Sequence, residues 1–303
     1  MSLTSLMLGD CDHYASPYMR GVAQAMAILN VHHRQVSIRQ PIGALRAALD
    51  ESKPDILWTH MLLWPPAGSP AVAELVALMQ RAHDRGAHIV VHDGDYKERT
   101  RHPHDLSSWC DLALTNHAFD RSAWCVPTMR WPYFAQWQDR MAEPDPAWRC
   151  GLFFAGTLGA GPVYSERTAL VERVRQLGVD LKLPKPGDNT LDRTATIATA
   201  ADAVLGFGRP GVSGWVDVRV FQYSGAGGIL IHDDVAGYLQ PLVHYVPYDS
   251  GRAESVVEAL ARLRALPESD RQAMRTRAFS HVHAHHSSVA RVRQVLGALE
   301  IRP

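Results

Sequence analysis

No apolar run in this chain approaches the ~20 residues that a membrane helix requires, so insertion into a bilayer is not expected. There is no net charge: 31 Lys and Arg balance 31 Asp and Glu. The basic surplus that marks many nucleic-acid binders is therefore missing, although a local basic patch would suffice for one. Cysteine is scarce, at four in 303 residues, and Cys11, Cys110, Cys125 and Cys150 show no C-x-x-C spacing. They read as reduced thiols. The start MSLTSLMLGDCD has no basic lead and meets acidic residues early, so no secretory signal is expected and a cytoplasmic protein is. No internal repeat or low-complexity tract is present. The first strand is not followed by G-x-G-x-x-G, which counts against a dehydrogenase. The run His281–His286 would put His281 and His285 on one helical face, but no H-E-x-x-H pattern or third ligand accompanies it, so no metal is expected.

What is present is ordinary globular chemistry, 46% hydrophobic and 20% charged, in a length suited to two domains. Short apolar strands alternate with segments of helical spacing. In the first half, strands are expected at 3–8, 35–38, 55–59 and 88–92, with helices at 18–29, 42–49 and 72–82. In the second half, strands are expected at 150–155, 179–183, 203–205, 228–231 and 244–247. Helices are expected there at 165–177, 190–199, 216–224, 253–266, 267–281 and 289–299, with Ser287 capping the last. This alternation predicts an α/β fold with parallel sheets covered by helices on both faces. Ligands of such sheets bind at the carboxyl ends of the strands. In the first half that edge would gather Asp10, Asp12, His13, His60, Asp93 and Asp95.

The stretch 205–234 organises the second half. A short strand leads into a loop with Gly206, Gly208, Gly211 and Gly214, and a helix follows that places Arg219 and Gln222 three apart on one face. Gly225, Gly227 and Gly228 close it before the next strand. A glycine loop that opens a helix presents unpaired N–H groups and the positive end of the helix dipole to an anion. A second such loop, 156–161, precedes the helix at 165. Arg209 and Arg219 are the best-suited phosphate ligands, because a guanidinium can make two parallel hydrogen bonds.

The string Arg-Val-Phe-Gln-x-x-x-Ala-Gly-Gly-x-Leu-Ile around Arg219 resembles the R-x-F-E…G-G-x-L-L signature of GT-B glycosyltransferases, in the CgeB-like, group 1 flavour. The run Pro210-Gly211-Val212-Ser213-Gly214-Trp215 resembles the same family's P-G-V-S-G-W block. Phe154, Gly156, Tyr164 and Arg167 resemble its F-x-G…Y-x-x-R opening. The resemblance implies two Rossmann-like domains facing a cleft: an acceptor domain at 1–130, a linker at 131–149, a nucleotide-sugar domain at 150–284, and a terminal helix at 285–303 that returns to the first domain. It implies a Leloir-type transfer of a hexosyl or related group, without a metal. Asp10-Cys11-Asp12 matches D-x-D in letters only, because it falls in the first strand's turn.

By the same resemblance the donor, a nucleoside-diphosphate sugar with UDP favoured, would be held by Gly156, Thr157, Arg167, Arg209, Gly211, Ser213, Gly214, Trp215, Arg219, Gln222 and Gly227. Gln222 stands where the family has a Glu on the ribose hydroxyls; an amide still bonds a hydroxyl but brings no charge. That change leaves open a non-catalytic nucleotide-sugar-binding protein of the same fold. If the transfer inverts the anomeric centre, a base is needed, and Asp93, Asp12 and His13 are the candidates; a retaining enzyme needs none. The acceptor is open. DNA is one member of the set, with the cluster Lys97–Arg101 as its only basic hint. The aromatics of 124–137 either pack the linker or form an acceptor platform.

Overall fold

The computed structural model describes residues 3–9, 16–66, 68–93, 106–115, 126–130, 135, 138–159, 161, 164–185, 191–208, 216–235 and 237–302. Asp12, His13, Arg209, Gly211, Ser213, Gly214 and Trp215 lie outside the described residues, as do Asp10, Asp95 and Lys97–Arg101. The chain forms two compact units, Met1–Tyr133 with Ser288–Pro303, and Phe134–Ser287.

The first unit is a six-stranded sheet in the order β2-β1-β3-β4-β5-β6. Its strands are β1 (Thr4–Gly9), β2 (His32–Ser37), β3 (Ile56–His60), β4 (His88–Asp93), β5 (Leu112–Thr115) and β6 (Thr128–Arg130), all parallel. The central strands are apolar on both faces because helices cover both, which is why Leu6, Leu57, Ile89 and Val91 are wholly or almost wholly buried. Helices α1 (Ser16–Ile28), α2 (Ile42–Ser52) and α3 (Pro70–Asp84) connect the first four strands. The terminal helix α9 (Ser288–Ala298) packs on α1, with Val289, Val292, Val295 and Leu296 buried.

One polar knot ties this sheet together. Ser5 Oγ accepts the Trp58 indole N–H at 3.1 Å and lies 3.0 Å from His33 Nδ1. The hydroxyl has its own proton to give, which suits a neutral imidazole. Burial, with His32 adding to it, pushes the His33 pKa down to about 4 from 6.5. The unfolded chain therefore binds a proton that the folded chain refuses. This contribution to stability is complete above pH 6.5 and falls away toward pH 4, by up to about 3 kcal/mol. Replacing His33 by Gln should flatten that part of the stability curve, measured by urea melts from pH 7.5 to 4; parallel curves would remove His33 from the acid response.

The second unit is a five-stranded parallel sheet in the order β11-β10-β9-β7-β8. The strands are β7 (Leu152–Phe153), β8 (Leu181–Lys182), β9 (Ala203–Leu205), β10 (Leu230–His232) and β11 (Tyr245–Pro247). On one face lie α4 (Ser165–Gln176) and α7 (Ala253–Ala265), which pack on each other over Leu152, Leu205 and Ile231. On the other lie α5 (Leu191–Ala200) and α6 (Val218–Ala226), with α8 (Glu268–His285) against α6. The strand order reverses between β7 and β9. That is the switch point where the loops leaving two neighbouring strands part and leave a crevice.

The segment expected as a linker is not free of the second unit. Met141 packs beside Gly227, Ala142 N–H donates to Ala226 O at 2.9 Å, and Asp145 pairs with Arg193 of α5. The chain also continues as helix through His281 to His285, where His281 stacks on His244 with ring centroids 4.5 Å apart. Histidine does not break a helix when it has rings to pack on.

Candidate functional site

Both sheets direct chemistry to their carboxyl edges. In the first unit, Thr59, His60, His92, Asp93 and Thr115 sit at the ends of β3, β4 and β5, each at most 2% exposed. Tyr18 of α1 stacks on His92 at 4.4 Å and meets His60 edge-on at 5.4 Å, while the two imidazoles stand edge to face at 4.5 Å. The edge expected from the sequence thus includes His60 and Asp93, and adds Tyr18, His92 and Thr115. Asp93 is 0% exposed, which is not the open position expected of a base.

In the second unit the edge has two halves, one over each face of the sheet. On the α6 side, Asp217 is the N-cap: its Oδ1 accepts the Arg219 N–H at 2.9 Å, and its Oδ2 pairs with the Arg219 guanidinium. Burial works against the Arg219 charge, but Asp217 and the Tyr223 hydroxyl outweigh it and hold the pKa above its ordinary value. The cation expected to meet a phosphate is therefore compensated beforehand. Gln222, one turn on, donates its amide to Thr194 Oγ1 at 3.3 Å. An Asp directly before a helical run is a readable capping signal, and it would have found Asp217.

Two glycines expected at the donor site also have reasons internal to the fold. Gly227 stops α6 at the end opposite Arg219, in the left-handed region at φ +96°, and an added Cβ would lie 2.8 Å from Met141 Cγ. Gly227 is thus a helix C-cap. A Cβ on Gly156 would meet the ring of Phe154 at 2.3 Å, so the space left by the missing side chain is filled from within. Thr157 is exposed, and its carbonyl accepts from Arg167 Nη1 at 3.5 Å.

On the α4 side lies a pocket of 420 Å³. Phe207 and Gly208 leave β9, Asp233 leaves β10, and Tyr248 and Ser250 leave β11; Glu166 and Arg167 come from the first turn of α4. Arg167 stands over the rings of Phe207 and Tyr164 at 5.7 and 5.9 Å. Asp233 is the most tightly held group here. Its Oδ1 accepts N–H bonds from Gly208 at 2.7 Å and Asp234 at 2.9 Å and lies 2.9 Å from His232 Nδ1; its Oδ2 accepts the Ser250 hydroxyl at 3.0 Å. Burial alone would raise the Asp233 pKa, but the His232 contact and the two N–H bonds prevail and keep it below the usual carboxylate range. One loop N–H expected to face a phosphate, that of Gly208, is thus already given to a carboxylate. No sequence motif marks Asp233, because two of the partners that define it, Gly208 and Ser250, come from other strand exits.

Among the described residues, no group of three or more His, Cys, Asp or Glu is arranged to hold a metal, and no helix is long and apolar enough to cross a membrane. Cys110 and Cys150 are buried.

With this geometry in hand, comparison with known proteins is informative. A family model described as glycosyl transferase-like matches residues 166–297, less than half of the chain. No curated protein sequence matches. Among solved structures, T4 phage β-glucosyltransferase in complex with its UDP-glucose substrate is similar, with a TM-score of 0.61 at 9% identity over 99% of this chain and 100% of that one. A HepE protein from Anabaena, in complex with UDP and glucose, has a TM-score of 0.60 at 10% identity, covering 98% and 99% of the two chains. A UDP-forming trehalose-phosphate synthase from Burkholderia xenovorans has a TM-score of 0.57 at 12% identity over both full lengths. The fold is therefore that of the GT-B glycosyltransferases.

Proposed function

We propose that this GT-B chain is a Leloir-type glycosyltransferase, which moves a sugar from a nucleoside-diphosphate donor to an acceptor hydroxyl. The observation that carries the reading is the carboxyl edge of the second sheet. A cation at a helix N-terminus, Arg219, stands over one face of the sheet, and a 420 Å³ pocket opens over the other. In the transfer, the acceptor oxygen forms a bond to the anomeric carbon as the bond from that carbon to the diphosphate oxygen breaks. The nucleoside diphosphate leaves with the electron pair. Arg219 and Arg167 are the groups suited to the charge that develops on it. Gln222 is suited to a ribose hydroxyl once it turns from Thr194. For an inverting transfer we assign proton removal to Asp93, the described candidate among those named from the sequence.

Several structural neighbours carry UDP or UDP-glucose, and one is a DNA modifying enzyme, which supports a uridine donor and keeps DNA among the acceptors to test. The buried free thiol Cys150 suits a cytoplasmic setting. The second reading is a nucleotide-sugar-binding protein without turnover, favoured by the full burial of Asp93. Incubation with a panel of nucleotide sugars and mixed acceptors, DNA included, followed by mass spectrometry, separates the two. A mass gain of one glycosyl unit on an acceptor is expected. Tight donor binding with no product over long incubation would leave the binding protein, and no binding of any donor would end both readings.

A further inference from the structure

The two halves of the second unit's carboxyl edge differ in charge, and the difference divides a ligand between them. The α6 half presents Arg219. The α4 half presents three carboxylates, Asp233, Glu166 and Glu254, against two guanidinium groups, Arg167 and Arg173. Arg173 is already bound to Glu254 at 3.0 Å. A pocket whose best-held group is a carboxylate repels a diphosphate and suits a neutral partner that donates hydrogen bonds.

Asp233 is built for that task. Its side chain is 11% exposed and opens on the pocket, while its brace comes from behind. His232, 1% exposed, sets Nδ1 against Oδ1 and lays its ring on Gly206. A Cβ on Gly206 would stand 2.3 Å from His232 Cδ2, so a bare residue at that point is a condition of the arrangement. Ser250 and two peptide N–H groups hold the carboxylate from the other sides, which fixes its orientation before any ligand arrives. Beside it, Phe207 and the guanidinium of Arg167 offer a flat apolar surface and a planar fork. A carboxylate, a fork and an aromatic ring about one cavity are a set that recognises vicinal hydroxyls on a saturated ring.

We propose that this pocket receives the glycosyl part of the donor, with Asp233 accepting from a ring hydroxyl at its less occupied Oδ2 as the specificity-determining residue and His232 as its positioning residue. The proposal rests on the donor reading above and adds where the sugar lies and which side chain reads it. A nucleoside ribose has the same diol chemistry, and the test distinguishes the two sources.

The experiment is calorimetry of the full chain with UDP, UDP-glucose, GDP and GDP-mannose. For the pair that binds, Asp233→Asn keeps an acceptor oxygen for the Gly208 N–H and loses the charge. It should weaken the nucleotide sugar by about 10- to 100-fold, in the range of a charged hydrogen bond, and leave the bare diphosphate within about twofold. Ala169→Trp, an exposed α4 position on the pocket wall, should erase the same difference by filling the space, which protects the test against a misfolded Asp233 variant. Equal losses for nucleotide sugar and diphosphate would assign the pocket to the ribose and overturn the proposal, as would no change in either variant. Wild-type protein that binds none of the four compounds would overturn the donor reading itself, and this assignment with it.

Discussion

Replacing Arg219 by alanine is expected to weaken a nucleoside diphosphate by roughly 10- to 100-fold and to lower stability in the same stroke. The affinity term follows from losing the cation at the start of α6, where the helix dipole and the guanidinium would act on one anion. The stability term follows from what is left behind. The Asp217 side chain is 14% exposed and pairs with Arg219, so truncation strands a partly buried carboxylate. Breaking a fully buried pair costs about 3–5 kcal/mol; for groups that retain some access to water, about 1–3 is the fitting scale. The two effects separate in a double variant. Arg219→Ala with Asp217→Asn removes the stranded charge and keeps an acceptor for the helix cap. It should recover most of the melting temperature and none of the nucleotide affinity. A single variant that stays folded and binds normally would take Arg219 out of the site.

Asp93→Asn carries the second large expectation: turnover lower by roughly 10²–10⁴, with donor affinity unchanged. An amide of the same shape cannot accept a proton. Because Asp93 belongs to the first unit and the donor groups to the second, the change should not reach nucleotide binding. Its burial beside His92 sharpens the test, since a base at 0% exposure must be uncovered by the ligand or loop that brings the acceptor. Product formation within threefold of wild type in a folded variant would exclude Asp93 as the base and leave a retaining transfer, or another residue, in its place.

Much of the architecture was legible because strands buried on both faces leave short apolar runs, and covering helices leave a 3.6-residue period. The β9 expectation, 203–205, coincides with the structure, and most other elements differ by a few residues at their ends. What escaped is physical in origin. β6 has three residues, too few to display an alternation, and fell outside every expected strand. Glycines at 156 and 227 gave the same letters as an anion loop, yet one makes room for a neighbour's ring and the other ends a helix. Asp217 was readable through its place before the helix. Asp233 was not, because its meaning comes from Gly208, Ser250 and His232 together, and only folding brings Gly208 and Ser250 beside it.

The packing of α9 on α1 has an outcome for biosynthesis. The amino-terminal body draws its last helix from residues 288–298, so a ribosome must translate past residue 298 before that body can close. The middle of the chain, complete by Ser287, is free to fold first. A fragment ending at residue 133 would expose the α1 surface that α9 covers and should aggregate, whereas a permuted gene that joins 288–302 ahead of residue 3 would supply that surface from the start.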